Sequence, residues 1–169
     1  RWQGKQGVIM GFHAGAELLV RLPLLGRSLQ LERLETTVTD VEMQFRRQTV
    51  ELCASPNVYR FQSPWLPFNQ ENYAKYQGMS IDEKRLECER IATGNLLTAF
   101  RGLGVHISDR LSVQFEKQRQ VRCRYKNQVF IGFYGALRVN ARLPDGIAIG
   151  KAVSHGFGWL SPAPDHRQS

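Results

Sequence analysis

One long helix signal with strand-like segments on both sides constrains the fold of this chain more than any other feature. Ser80-Ile-Asp82-Glu83 places an N-cap serine three residues ahead of a glutamate, so that each side chain can satisfy the other's backbone N–H. Cys88, Ile91, Ala92, Leu96, Ala99 and Leu103 follow at helical spacing, and Gly102 and Gly104 end the run. Ahead of the helix stand the strand-like Val58-Tyr-Arg-Phe61 and a proline-pinned loop, Pro64 to Asn69, whose aromatics are expected to be buried. Behind it, Leu111 to Phe115, Val121 to Tyr125 and Val129 to Val139 read as strands. A glycine-rich connection follows, and then a last strand from Phe157 to Leu160.

Strand, helix, strand, strand, loop, strand is a ferredoxin-like βαββαβ plan in which the loop replaces or precedes the second helix. The N-terminal third looks like the latter part of the same plan. Trp2 to Met10 reads as a hairpin, with an apolar strand from Val8 to Phe12. Ala14 to Leu22 reads as a short helix presenting Leu18, Leu19 and Leu22, stopped by Pro23. Alternation between Leu29 and Phe45 predicts one or two strands, and Thr49 to Leu52 another. Ser55-Pro56-Asn57 is the best linker. The expected class is therefore α+β, with two ferredoxin-like (RRM-like) folds in tandem. Residues 1–54 would form a partial N-terminal domain, incomplete at its start, and 55–160 the C-terminal domain. Residues 161–169 would be a flexible tail. Arg1-Trp2-Gln3 reads like the inside of a structured element, so the natural protein is expected to continue upstream.

A chain of 169 residues has room for two domains of roughly 80 residues each. Its 42% hydrophobic content suffices for a core. A net charge of +8 and a pI near 9.8 call for a polyanionic partner, without choosing among RNA, DNA and anionic lipid. No apolar run approaches the roughly 18 residues a membrane span needs, and no membrane partner is expected. Cys53, Cys88 and Cys123 are odd in number and lack CxxC or Cys/His pairing, against a disulfide framework and against zinc. They lack the electropositive partners of a nucleophile and read as small core residues in a reduced, cytoplasmic protein.

Between Arg110 and Arg142 stand eight basic residues (Arg110, Lys117, Arg119, Arg122, Arg124, Lys126, Arg138, Arg142) against one acid, Glu116. Arg122 and Arg124 are two apart and share a strand face. Tyr125, Phe130, Phe133 and Tyr134 interleave with this charge, a mixture suited to neutralising a phosphate backbone and stacking bases. A solvated basic face with its aromatics turned inward is the plainer alternative.

Gly146-Ile-Ala-Ile-Gly150-Lys151-Ala-Val-Ser154-His155-Gly156-Phe157-Gly158 combines four glycines with a lysine, a serine and a histidine. Such a loop can bring backbone N–H groups close to a phosphate, or can be a tight connection whose glycines solve backbone geometry. Walker spacing is absent, and a strand rather than a long helix follows, which excludes a dinucleotide fingerprint. His155 is the histidine best placed to exchange a proton at a scissile phosphate. His13 and His106 read as structural, and His166 lies in the tail. No set of acids and histidines has metal-ligand spacing, so neither metal nor cofactor is expected.

Phe61-Gln-Ser-Pro-Trp-Leu-Pro-Phe-Asn69, Glu71-Asn72-Tyr73, Lys75-Tyr76, Ile91-Ala-Thr-Gly-Asn95-Leu-Leu, Gly102-Leu-Gly104, Tyr125-Lys126, Gly132-Phe133, Asn140, Leu143-Pro144 and the glycine-rich close form an ordered series. This series, about residues 58–160, resembles the CRISPR-associated repeat-RNA-processing endoribonucleases of the RAMP superfamily, of the Cas-six type. Gly7 to Leu19 is similar to that family's first half. The resemblance implies tandem ferredoxin-like folds and metal-independent cleavage of precursor CRISPR RNA within each repeat. The 2′-hydroxyl attacks the adjacent phosphate and leaves a 2′,3′-cyclic end. It also implies that Gly146, Gly150, Lys151, Ser154, Gly156, Phe157 and Gly158 form a loop that meets RNA beside the active site.

Arg122, Arg124, Lys126, Arg138 and Arg142 join that loop as candidate RNA contacts, and His155 is the candidate for proton transfer. The family often carries arginine at the position of His155 and usually places its general-base histidine in the first half, which would precede Arg1. CRISPR repeat RNA is the implied partner, with effector subunits and a second copy of the chain as further candidates. The rival function is a non-catalytic RNA-binding RAMP subunit of an effector complex.

Overall fold

The computed structural model describes residues 2–3, 6–31 and 34–164. They fall into two compact units, residues 1–47 and 48–169.

In the first unit β1 (Trp2–Gln3) pairs antiparallel with β2 (Gln6–Gly7). Helix α1 (Ala14–Arg21) follows, and then the hairpin of β3 (Ser28–Leu31) and β4 (Leu34–Thr37). The helix ends as expected, since Leu22 turns extended and Pro23 cannot continue it. The strand expected over Val8 to Phe12 does not form. Among the described residues this segment joins none of the sheets, and Val8, Ile9 and Met10 are exposed. Of the alternating segment that runs to Phe45, only the part up to Thr37 becomes strand, and residues 38–50 are irregular. The strands of this unit lie in two separate two-stranded sheets.

In the second unit the chain runs through β5 (Glu51–Phe61), α2 (Gln70–Gln77), α3 (Ile81–Gly102), β6 (Val113–Tyr125), β7 (Gln128–Arg142) and β8 (Leu160–Pro162). A single turn of 3₁₀ helix, Val153–His155, lies between β7 and β8. The four strands form one antiparallel sheet in the order β6-β7-β5-β8. The first strand thus lies between the third and the fourth, which is the ferredoxin-like arrangement. Helix α3 covers one face of it. Cys88, Ile91, Ala92, Leu96 and Phe100 meet Tyr59, Phe61, Val113, Phe115, Leu137, Val139 and Ala141 in one core. Ser80 and Glu83 exchange the expected pair of hydrogen bonds, at 3.3 and 2.8 Å, at the start of α3.

Several local expectations shift. Ser55-Pro56-Asn57 is not a linker but part of β5, where the register breaks between Leu52 and Asn57. A bulge there accommodates Pro56, which has no N–H to donate to a ladder. The division between units falls ahead of this strand, after Arg47. Helix α2 was not expected, because its polar sequence carries little periodicity; Asn69 caps it by accepting from Asn72 N–H at 2.7 Å. β6 is one continuous strand through the charged stretch expected to divide it, since β7 supplies partners on both sides of a register shift between Phe115 and Lys117. Ala99 and Leu103 are half-buried, and Phe100 takes the innermost place on that turn.

Trp159 bridges to Ala148, and β8 proper begins at Leu160. Ser161 and Pro162, expected in the tail, are therefore sheet residues, and Ala163 N–H bonds to the Val58 carbonyl at 2.8 Å. Residues 165–169, with His166, lie outside the described residues, as does the turn of the first hairpin. Cys88 and Cys123 are buried free thiols, and burial pushes both up in pKa; Cys53 is half-buried and also free. Among the described residues no helix is long and apolar enough to cross a membrane.

Candidate nucleic-acid interface

The glycine-rich stretch leaves β7 and stands where a second helix would cross the sheet. Its base is tied to the loop after β5. Lys151 N–H donates to the Leu66 carbonyl at 3.0 Å, Gly158 N–H to Pro64 at 2.9 Å, and Trp159 N–H to the Ser63 hydroxyl at 3.0 Å. Ile149 N–H closes onto the Gly158 carbonyl at 3.0 Å. A Cβ on Gly150 would stand 2.7 Å from the Trp65 ring, and one on Gly158 1.9 Å from the Ile149 carbonyl oxygen. Close packing therefore requires glycine at both positions, and the amides of Ile149, Lys151 and Gly158 point at protein carbonyls. At its base, the stretch is held as a tight connection by these bonds.

The tip differs. Its backbone bonds close on themselves, with His155 N–H on Ala152 and Gly156 N–H on Val153. Lys151, Ser154 and His155 are exposed there, and Phe157 is half-buried. Four contacts converge on Tyr125, the last residue of β6. The His155 ring lies 4.9 Å away at 84°, Phe157 5.9 Å away at 72°, Phe130 6.0 Å away, and Lys126 Nζ sits 5.5 Å above the ring. Lys126 and Asn127 both have positive φ, 46° and 59°, the two-residue turn that lets β6 reverse directly into β7.

Strand alternation decides which basic residues share a face with this cluster. On β7, Phe133, Leu137, Val139 and Ala141 point into the core beneath α3. Gly132, Tyr134, Ala136, Arg138 and Arg142 consequently face the other way. The cross-strand pairs Cys123–Phe130, Val121–Gly132 and Arg119–Tyr134 put Arg119, Cys123 and Tyr125 on that second face too. Pro64 and Leu66 pack there beside Gly132, carrying the base of the glycine-rich stretch.

The sheet face away from α3 thus gathers Lys126, Arg138 and Arg142 with the loop residues Lys151, Ser154, His155 and Phe157. Arg122 and Arg124 do share a face and are exposed, but it is the opposite one, with Ile131 and Val129 as partners. Arg138 pairs with Glu116, and Arg142 with Glu51 at 3.0 Å. Among the described residues neither Lys126 nor Lys151 makes an ion pair.

Two neighbours of the site were not singled out as contacts from the sequence. Tyr125 is its hub, and Arg119 lies over the Tyr134 ring at 5.2 Å. Counting by two from Arg119 to Tyr125 would have put them on one face. Gly146 and Gly156 turn the stretch with φ of 75° and 85°. His13 precedes α1 in the first unit with no side-chain capping bond, and His106 is exposed after α3. Among the described residues no group of three His, Cys, Asp or Glu side chains could hold a metal ion.

Residues 51–163, β5 through β8 with the loop between them, match the Cas6b C-terminal domain. The chain belongs to the Cas6b family. A solved Cas6b structure is 27% identical and superposes with a TM-score of 0.70, covering 75% of this chain and 74% of its own. Another, of a protein described as the CRISPR RNA processing endoribonuclease Cas6b, is 24% identical with a TM-score of 0.72, over 89% of this chain and 72% of its own. At that identity it shows the shared fold. An uncharacterized protein of Methanocaldococcus jannaschii is 35% identical over 100 residues, 59% of this chain and 68% of its own length.

Proposed function

We propose that this protein binds CRISPR repeat RNA and cuts the precursor within each repeat. The observation that carries this reading is the Cas6b match across residues 51–163, together with a solved Cas6b described as a CRISPR RNA processing endoribonuclease. The RNA strand runs over the sheet face away from α3, between the β6–β7 turn and the tip of the glycine-rich loop. Lys126 and Lys151 supply charge that no carboxylate pairs with among the described residues, and Arg138 and Arg142 add to it. Phe157 and Tyr125 offer ring surface to bases. Gly146, Gly150, Gly156 and Gly158 shape the loop, while Arg122 and Arg124 meet RNA only where it passes to the other side of the hairpin.

In the proposed reaction the 2′-hydroxyl oxygen attacks the adjacent phosphorus and the bond to the 5′-oxygen breaks. The hydroxyl proton passes to a base, an acid protonates the departing 5′-oxygen, and a 2′,3′-cyclic phosphate remains. Positioning in line and stabilising the phosphorane charge supply most of the rate in such a transfer. His155 is the proposed proton-transfer group of this face. Its removal slows cleavage only modestly, because the principal base of this family usually belongs to its first half. The first unit is proposed to be part of the family's N-terminal ferredoxin-like fold.

Incubating the protein with an end-labelled repeat in excess EDTA tests the reading. A single cut leaving a cyclic phosphate supports it. Tight binding with no product would overturn it in favour of an RNA-binding subunit of an effector complex. Retention indifferent to salt would overturn both.

A further inference from the structure

We propose that Tyr125 is a positioning residue, whose ring sets the place and orientation of the His155 imidazole and couples it to the Lys126–Asn127 turn. The inference rests on the proposed RNA-cutting face and deepens it. Between Lys151 and Gly158 the stretch leaves the 64–66 loop that anchors its base, and the backbone bonds of its tip close within residues 152–157. Ring contacts must therefore hold the tip against the sheet. His155 meets Tyr125 at 4.9 Å and Phe157 meets the same ring at 5.9 Å, both edge to face. Such pairs favour one relative orientation as well as one distance.

Tyr125 is itself fixed. It is the last residue of β6, in register with Gln128 across a two-residue turn, and Phe130 supports its ring at 6.0 Å. Lys126 rests over the same ring at 5.5 Å. A phosphate drawn to Lys126 competes for that ammonium and loads the turn that carries Tyr125. RNA arriving at the hairpin and the imidazole in the loop are thereby linked through one side chain.

The test combines spectroscopy with kinetics on the full chain. Resonances of the His155 ring protons should be displaced from free-imidazole positions in the wild type and in Tyr125→Phe, which keeps the ring. In Tyr125→Leu they should return toward those positions. Cleavage by Tyr125→Leu should slow by the same factor as in His155→Ala, mainly in kcat. The double variant should be no slower than either single one, because both changes remove one unit. Undisplaced His155 resonances in the wild type overturn the proposal even if Tyr125→Leu fails to fold. So does a Tyr125→Leu variant that cuts normally while His155→Ala is slow. Should the wild type not cut RNA at all, the reaction reading fails, and the resonances still decide whether Tyr125 places the imidazole.

Discussion

The Trp65 indole N–H donates to the Asn95 side-chain oxygen at 3.1 Å, tying the loop after β5 to the middle of α3. Trp65 is fully buried, pairs with Phe133 of β7 through two backbone bonds of 2.8 Å, and lies against Gly150. One side chain therefore joins helix, sheet and glycine-rich loop. Replacing Asn95 by leucine leaves the indole N–H buried without an acceptor, which costs about 1–3 kcal/mol. Urea unfolding should show a lower midpoint with an unchanged slope; an unaltered midpoint would mean the bond adds nothing.

Gly158→Ala should be far more damaging than Gly156→Ala. Both positions have positive φ, 69° and 85°, which alone costs a residue with a Cβ about 1–2 kcal/mol. Only at Gly158 would the new carbon also strike backbone, the Ile149 carbonyl oxygen, whereas nothing lies near Gly156. Thermal melting of the two variants gives the comparison, and equal losses would contradict the packing described for the base of the loop.

Charge on the two sides of the β6–β7 hairpin can be separated by salt titration of RNA binding. Each lost phosphate contact lowers the slope of log K against log salt by roughly 0.7–0.9. Lys126→Ala with Lys151→Ala should lower it by about twice that, and Arg122→Ala with Arg124→Ala by less. The reverse order would place the RNA on the α3 side.

Stability should fall in alkali as the folded chain holds the Tyr76 proton that the unfolded chain releases. Burial pushes the Tyr76 hydroxyl from 10.0 up to about 12, and burial raises the neighbouring Cys88 thiol as well. Between pH 10 and 12 the unfolded chain has released the Tyr76 proton while the folded chain retains it, so stability declines as pH rises. Below pH 10 the contribution of this tyrosine is fully present. Tyr76→Phe should flatten the decline measured by urea unfolding at stepped pH.

Much of the second unit is legible along the chain because its signals are local. A capping box, helical spacing to Leu96, glycines after residue 101 and aromatic-rich strands all act within a few residues of where they stand. Helix α2 escaped because Gln70–Gln77 owes its helix to the Asn69 cap and to the rings of Tyr73 and Tyr76 on Phe68, and its apolar spacing is weak. Pro56 looked like punctuation, yet β5 absorbs it, because β7 pairs with the strand on either side of the bulge.

From its residues alone this chain dictated the strand–helix–strand–strand–loop–strand plan of its second unit apart from α2, the N-cap of α3, the basic character of the β6–β7 hairpin and the family it belongs to. Alternation even placed Arg122 and Arg124 together. Which side of the sheet they occupy was decided only in three dimensions. α3 claimed the face of Leu137 and Val139, and Pro64 and Leu66 brought the glycine-rich stretch to the face of Cys123 and Gly132. Period-two alternation says which residues share a side, but the covering of each side depends on contacts between segments far apart in the chain, and no local pattern encodes those.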